Sequence, residues 1–195
     1  MRGILAVLLA IIIIIPMGCS RESKVTGESA RLRTGPMDNL SMDDVKSVIR
    51  RYNFYDRFQN RNGSFINDFV DNGDGTVTDR ATDLVWERHA TAGLVEWSEV
   101  DSYIRELNSR QFAGYSDWRL PTIEELASLL GKEFRPLNIS DIFTYDIGTG
   151  GNAYWSADTK EPGHAYYIDL LAATISLNFF GEDHPGMSIK AVRSE

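Results

Sequence analysis

Pro121-Thr122-Ile123-Glu124-Glu125-Leu126-Ala127-Ser128-Leu129-Leu130-Gly131 decides how this chain is to be read. Thr122 and Glu125 stand three residues apart, so the hydroxyl can accept from the glutamate amide while the carboxylate reaches back. That reciprocal cap starts a helix. Ile123, Leu126, Ala127 and Leu130 then repeat at helical spacing, and Gly131 ends the pattern. Two other stretches share this grammar. Ser41 with Asp44 leads into Val45, Val48, Ile49 and Tyr52, and Ser98 with Asp101 leads into Val100, Tyr103, Ile104 and Leu107. Each stripe is one face wide, which predicts three surface helices lying on something else.

The rest of the chain predicts what they lie on. Phe65 to Val70, Thr76 to Thr78 and Leu84 to Glu87 are β-rich runs separated by Asp71-Asn72-Gly73-Asp74-Gly75 and by a turn at Arg80 to Asp83, the pattern of a meander. Ala153 to Ala157, His164 to Leu170, Ala173 to Phe180 and Ser188 to Arg193 make four more strands with Gly, Pro or Asp between them. The expected class is α+β, antiparallel strands with flanking amphipathic helices. Trp86, Trp118 and Trp155 sit in apolar stretches at element junctions and should join Leu120 and Leu126 in the core.

Working outward to the N-terminus, Arg2 precedes twelve apolar residues from Ile4 to Ile15, followed by Pro16-Met17-Gly18-Cys19. The run is shorter than the roughly 20 residues a membrane-spanning helix needs, so residues 1–18 read as a signal peptide. Gly18-Cys19 resembles a bacterial lipobox, with Pro16 and Met17 standing where Leu and a small residue are usual. The resemblance implies acylation of Cys19, a membrane partner through that anchor and, with Ser20 following, sorting to the outer membrane of a two-membrane bacterium. Residues 19–40 carry few large apolar side chains and read as a flexible tether, 41–61 as a helical extension, and 62–195 as the domain.

Composition excludes several function classes. A single cysteine among 195 residues rules out an internal disulfide framework and a multi-thiolate metal site. Without Arg2 the chain has 19 basic and 28 acidic residues, and from Ser41 onward 15 and 25, a balance that argues against nucleic acid as partner. The exceptions are Lys46, Arg50, Arg51, Arg57 and Arg61, which gather just after the tether and would face an anionic envelope surface or simply water. Asp71 to Thr76 resembles a calcium loop, but with Gly75 at position 6 the ligands at positions 1 and 12 become Val70 and Ala81. A glycine-rich hairpin turn explains it better. His89, His164 and His184 show no ligand spacing, and no nucleophile elbow or P-loop is present, so no metal or cofactor is expected.

The stretch from Lys132 to Asn152 has no consistent period and mixes aromatic residues, charges and glycines, as an adaptable binding loop does. The candidate ligand surface is therefore Arg135, Tyr145, Asn152, Trp155 and Asn178, with Phe134 and Phe143 either joining it or folding into the core. An enzymatic alternative would use Asp141, Asp146 and one histidine as acid and base in the same loop, and a third alternative is a structural part bound through the basic first helix.

Phe69 to Asp79, Leu84-Val85-Trp86, Trp97-Ser98, Gly114-Tyr115-Ser116-Asp117-Trp118-Arg119-Leu120-Pro121-Thr122, Tyr154-Trp155-Ser156-Ala157 and Ala191-Val192-Arg193 together resemble the Lcl C-terminal domain family, named for the adhesive tail of a bacterial collagen-like protein. The resemblance implies a fold like that of C-type lectins and formylglycine-generating enzymes. It also implies adhesion, by trimers, to sulfated polysaccharide. The cysteines of the generating enzymes are missing, Glu161-Pro162-Gly163 lacks the Asn of the calcium-lectin motif, and an excess of ten acidic charges disfavours a polyanion. The expectation is a non-enzymatic, lipid-anchored envelope protein that binds a glycan or an envelope protein.

Overall fold

The computed structural model describes residues 29–132, 137–144, 151–161, 163–181 and 185–195. They form an α+β arrangement of two antiparallel sheets and three helices: α1 (Met42–Arg51), β1 (Phe69–Asp71), β2 (Thr76–Asp79), β3 (Leu84–Glu87), α2 (Val100–Ser109), α3 (Ile123–Ser128), β4 (Ala153–Glu161), β5 (His164–Asp169), β6 (Thr174–Phe179) and β7 (Val192–Ser194). One sheet runs β1-β2-β3-β7 and the other β4-β5-β6. The first three strands are the meander expected from the sequence, with Val77 opposite Trp86 and the C-terminal Val192 closing on Trp86 from the other side. Bridges between Tyr154 and Ser188 and between Arg119 and Val192 tie the layers together.

Local chemistry explains the turns. Asp71 accepts from the Gly73 amide and Asp74 from the Thr76 amide and hydroxyl, while Gly73 and Gly75 take positive φ. The carboxylates that resembled a calcium loop thus hold the hairpin's own backbone, and Asp71 also pairs with Arg88 at 3.0 Å. Among the described residues no group of three His, Cys, Asp or Glu side chains could hold a metal ion.

The helix caps at Ser41 and Thr122 are both reciprocal, with Asp44 and Glu125 completing them. The second helix differs. Ser98 lies inside a 3₁₀ turn at Trp97–Glu99, and Glu99 caps α2 with no side-chain bond. The turn swings Trp97 edge-on to Trp155 at 5.3 Å and stacks it on Phe180 at 4.6 Å, an aromatic packing gain that displaces the expected cap. The third helix departs further. It is not a surface helix: all six residues of α3 are buried, Glu124 and Glu125 included, and it ends at Ser128 before reaching Gly131. It wedges between α1 and the β4-β5 layer, which is tolerable only because arginines meet its carboxylates.

One of those arginines corrects the reading of residues 19–40 as a tether. Residues 19–28 lie outside the described part, but 29–40 are docked. Leu32 and Leu40 enter the main core with Ile49, Phe54, Leu126 and Tyr166. Arg33 forks onto Asp158 with two 2.8 Å bonds and lies 3.8 Å from Glu124, and its carbonyl accepts from the Thr122 hydroxyl at 2.9 Å. Asp158, fully buried, also accepts from the amides of Met37 and Ile123 at 2.7 Å each. The long stretch after Lys132 is partly core as well: Leu137, Ile139 and Phe143 are buried, and the Asn138 side chain donates to the Leu170 carbonyl at 2.7 Å. Trp86, Trp118, Trp155 and Leu126 are buried as expected, while Leu120 and Trp97 are half-buried.

Candidate functional site

The segment from Arg110 to Thr122 organises the molecule from within. Asn108 clamps Trp118, accepting from its amide at 2.7 Å and donating to its carbonyl at 2.8 Å, and the indole donates to the Phe112 carbonyl at 3.1 Å. Arg119 then bridges β7 through Val192 and puts both guanidinium nitrogens on the fully buried Glu125, at 2.7 and 2.6 Å. Such a planar bidentate pair fixes orientation as well as charge. Trp118, Arg119 and Glu125 are therefore frame, which leaves Tyr115, Ser116 and Asp117 to face water.

The backbone that delivers them is strained. Gln111 and Ala113 both take left-handed φ, at 51° and 52°, followed by Gly114 at 84°. Non-glycine residues in that region cost on the order of 1–3 kcal/mol each, and they persist where the surroundings dictate a geometry. Here the bend seats the Phe112 ring against Gly75, where a Cβ would stand 3.1 Å from the ring, and lifts Tyr115 to 39% exposure. Arg193 reaches across from β7, its guanidinium 4.0 Å from the centre of the Tyr115 ring and its Nε 2.8 Å from Asp117. The arginine bond holds the Asp117 carboxyl below the usual carboxylate range. Arg110 lies 5.3 Å from the Phe112 ring beside them. The Asp71–Gly75 turn, the Gly114–Thr122 stretch and the C-terminal Ala191-Val192-Arg193 thus meet on one outer face that offers an aromatic ring, a hydroxyl, a carboxylate and fixed guanidinium groups. Those groups can hold a hydroxyl-rich or peptide-like ligand by stacking and directed hydrogen bonds.

The surface expected from the sequence is not assembled. Cys19, Arg135 and Tyr145 lie outside the described residues. Trp155 is 0% exposed and its indole donates to the Val95 carbonyl at 3.1 Å, so it is core rather than ligand surface. Asn152 and Asn178 are half-buried at opposite ends of the β4-β5-β6 sheet, because Asn152 precedes Ala153, which pairs with Asp169, whereas Asn178 pairs with Ala165 at the other end of β5. Of the groups named for an enzymatic alternative, Asp141 is exposed, His89 is bonded to the Thr144 hydroxyl, His164 packs edge-on to Phe179, and Asp146 and His184 lie outside the described residues.

The strongest perturbation of titratable groups is elsewhere. Lys190 is fully buried, donates to the carbonyls of Glu87 and Arg88 at 3.0 and 3.1 Å, and lies 4.5 Å from the Phe143 ring centre. Burial pushes its ammonium down to about 7. Glu87, raised by burial, accepts from the Tyr103 hydroxyl at 2.7 Å, and Tyr103 is raised in turn by burial and the glutamate. The cluster joins β3, α2 and the approach to β7 inside the core.

The Tyr115–Asp117–Arg193 group escapes sequence reasoning because nothing in spacing pairs positions 76 residues apart. A signal was present: polar Ser116-Asp117 interrupts an otherwise apolar approach to Trp118. In comparisons with known proteins, residues 75–193 match the family model described as the Lcl C-terminal domain. No curated protein and no solved structure matches the chain.

Proposed function

Because the chain belongs to the Lcl C-terminal domain family, we propose that it is a non-enzymatic, lipid-anchored binding protein of the cell envelope that recognises a glycan or an envelope protein through a C-type-lectin-like domain. The observation that carries this reading is the Tyr115–Asp117–Arg193 face, exposed at Tyr115 and Asp117, built where three sequence blocks converge and held by half-buried Arg119 on the buried Glu125. A rigid frame beneath an aromatic and charged surface suits recognition, since little freedom is lost on binding. The address rests on the signal-like residues 1–18, on Cys19 and on the Ser20 that follows it, which support an anchor in the outer membrane of a two-membrane bacterium. A non-catalytic role is supported by the seating of the most perturbed groups, Lys190, Glu87 and Tyr103, which serve core carbonyls and each other.

The experiment is a screen of the purified protein against immobilised neutral and sulfated glycans and isolated envelope proteins, run beside Tyr115→Ala. Saturable binding that weakens about tenfold in the variant, a loss of about 1.4 kcal/mol, with unchanged melting temperature, supports the reading. Full affinity in the variant moves the site off this face, and chemical turnover of any ligand establishes the enzymatic alternative.

A further inference from the structure

The docked N-terminal segment dictates which side of the molecule meets the anchoring membrane, an inference that rests on the lipid-anchored reading above. Cys19 and Ser29 are ten positions apart, and at about 3.3–3.6 Å per step that length of chain reaches at most about 35 Å. A domain of this size is about 40 Å across, so the side where Ser29 enters is the side turned to the bilayer. The entry point is well marked: the Ser29 hydroxyl bonds the Asp83 carboxylate, and the Ala30 amide donates to the Ala81 carbonyl at 2.7 Å.

The surroundings of that point have an unusual surface. The Arg80 amide donates to the Asp68 carbonyl at 3.0 Å, which brings the lead-in to β1, with Ile66, alongside. The Tyr52 hydroxyl donates to the Arg31 carbonyl at 2.9 Å, which brings the basic end of α1, with Arg51, to the same place. From Tyr52 the chain makes a loop closed by the Ser64 and Phe65 amides on the Asn53 carbonyl, and Phe58 stands at the tip of a tight turn between Asp56 and Asn60. Ile66 at 81% and Phe58 at 71% are the two most exposed large apolar side chains among the described residues. Charge follows the same boundary. From Arg51 to Asn67 the one acid is Asp56, fully buried, its carboxylate taken by the amides of Phe58, Gln59 and Ile175. In a chain of net charge −8, this loop shows water only cations and neutral groups, with Asp68 and Asp83 at its border.

We propose that the face carrying Phe58, Ile66, Arg31, Arg51, Arg61 and Arg80 docks flat on an anionic phospholipid surface. The two apolar side chains enter the headgroup boundary and the guanidinium groups meet lipid phosphates, the combination by which monotopic elements hold a membrane. The arginine contribution acts within a Debye length, about 8 Å at physiological salt, so it operates only once the tether has brought the face to the bilayer.

The test uses the full protein, purified from membranes and reconstituted into phosphatidylcholine vesicles with or without phosphatidylglycerol. Phe58→Cys, Ile66→Cys and, as reference outside the face, Leu94→Cys are labelled with an environment-sensitive fluorophore. The expected result is a blue shift and quenching by spin-labelled lipid at positions 58 and 66, not at 94, dependent on phosphatidylglycerol and lost in the Arg51→Gln, Arg61→Gln double variant. Equal, water-like emission at all three positions would overturn the docking. The unmodified protein's reactivity toward maleimide separates the two readings: a reactive Cys19 thiol overturns the anchor, whereas a blocked thiol with water-exposed probes overturns the docking alone.

Discussion

Removing the Asp158 carboxylate is the sharpest test of how the N-terminal segment is held. In Asp158→Ala, the Arg33 guanidinium loses both 2.8 Å bonds, and the part-buried amide of Met37 and the buried amide of Ile123 lose their 2.7 Å acceptors. Breaking a buried pair from one side costs about 3–5 kcal/mol, and each orphaned buried donor about 1–3 kcal/mol. Part of this is recovered where water reaches Arg33, whose side chain keeps 25% exposure, so a loss of about 4 kcal/mol is expected. Arg33→Ala should cost as much, about 3–5 kcal/mol, because it leaves the fully buried Asp158 carboxylate with two amide donors and no cation. Urea unfolding followed by tryptophan emission measures both, since Trp86, Trp118 and Trp155 are buried. Limited proteolysis between residues 29 and 40 should accelerate in both variants before global unfolding. A loss below about 1 kcal/mol for either substitution would refute the assignment of the Arg33–Asp158 pair as the clasp that holds the segment.

Truncating Trp118 to Ala should cost about 3–5 kcal/mol by thermal melting, and an unchanged melt would contradict its place in the core. Lys190 gives a pH signature: its ordinary value of 10.5 falls to about 7 on burial, so from pH 7 to about 9 the unfolded chain binds a proton that the folded chain has released. Stability should therefore rise with pH in that window by at most about 1.4 kcal/mol per pH unit, and the rise should vanish in Lys190→Met; the same slope in both proteins would refute it. Cys19→Ala should abolish incorporation of a clickable palmitate, and retained labelling would place an acyl chain elsewhere.

What could be read from sequence was whatever neighbours in sequence decide. The caps at Ser41 and Thr122 and the turn at Asp71–Gly75 use partners within four residues, and all three stand as expected. The burial of α3 was hidden because Glu124 and Glu125 look like solvent-facing acids until Arg33, 91 residues from Glu124, and Arg119 are brought to them. Leu32 and Leu40 were illegible for the same reason, being isolated apolar residues in a polar stretch whose partners are far along the chain. Trp155 fitted both a core and a surface role, and a strand buried on both faces at Tyr154-Trp155-Ser156 gives no alternation to choose between them. Tyr115 lay in plain view, but its arginine did not.

The Arg33–Asp158 clasp also has a mechanical meaning. If the domain is tied to a surface by its N-terminus, as proposed, a pull on the Tyr115 face arrives as tension at Ser29. That load passes first through the Ser29–Asp83 and Ala30–Ala81 bonds and then to two parallel guanidinium–carboxylate bonds, which span 125 positions of chain. Force therefore enters the molecule at its centre, at the start of α3, instead of peeling β1 from the rim of its sheet, and a ligand held under shear would test the clasp before it tested the strands.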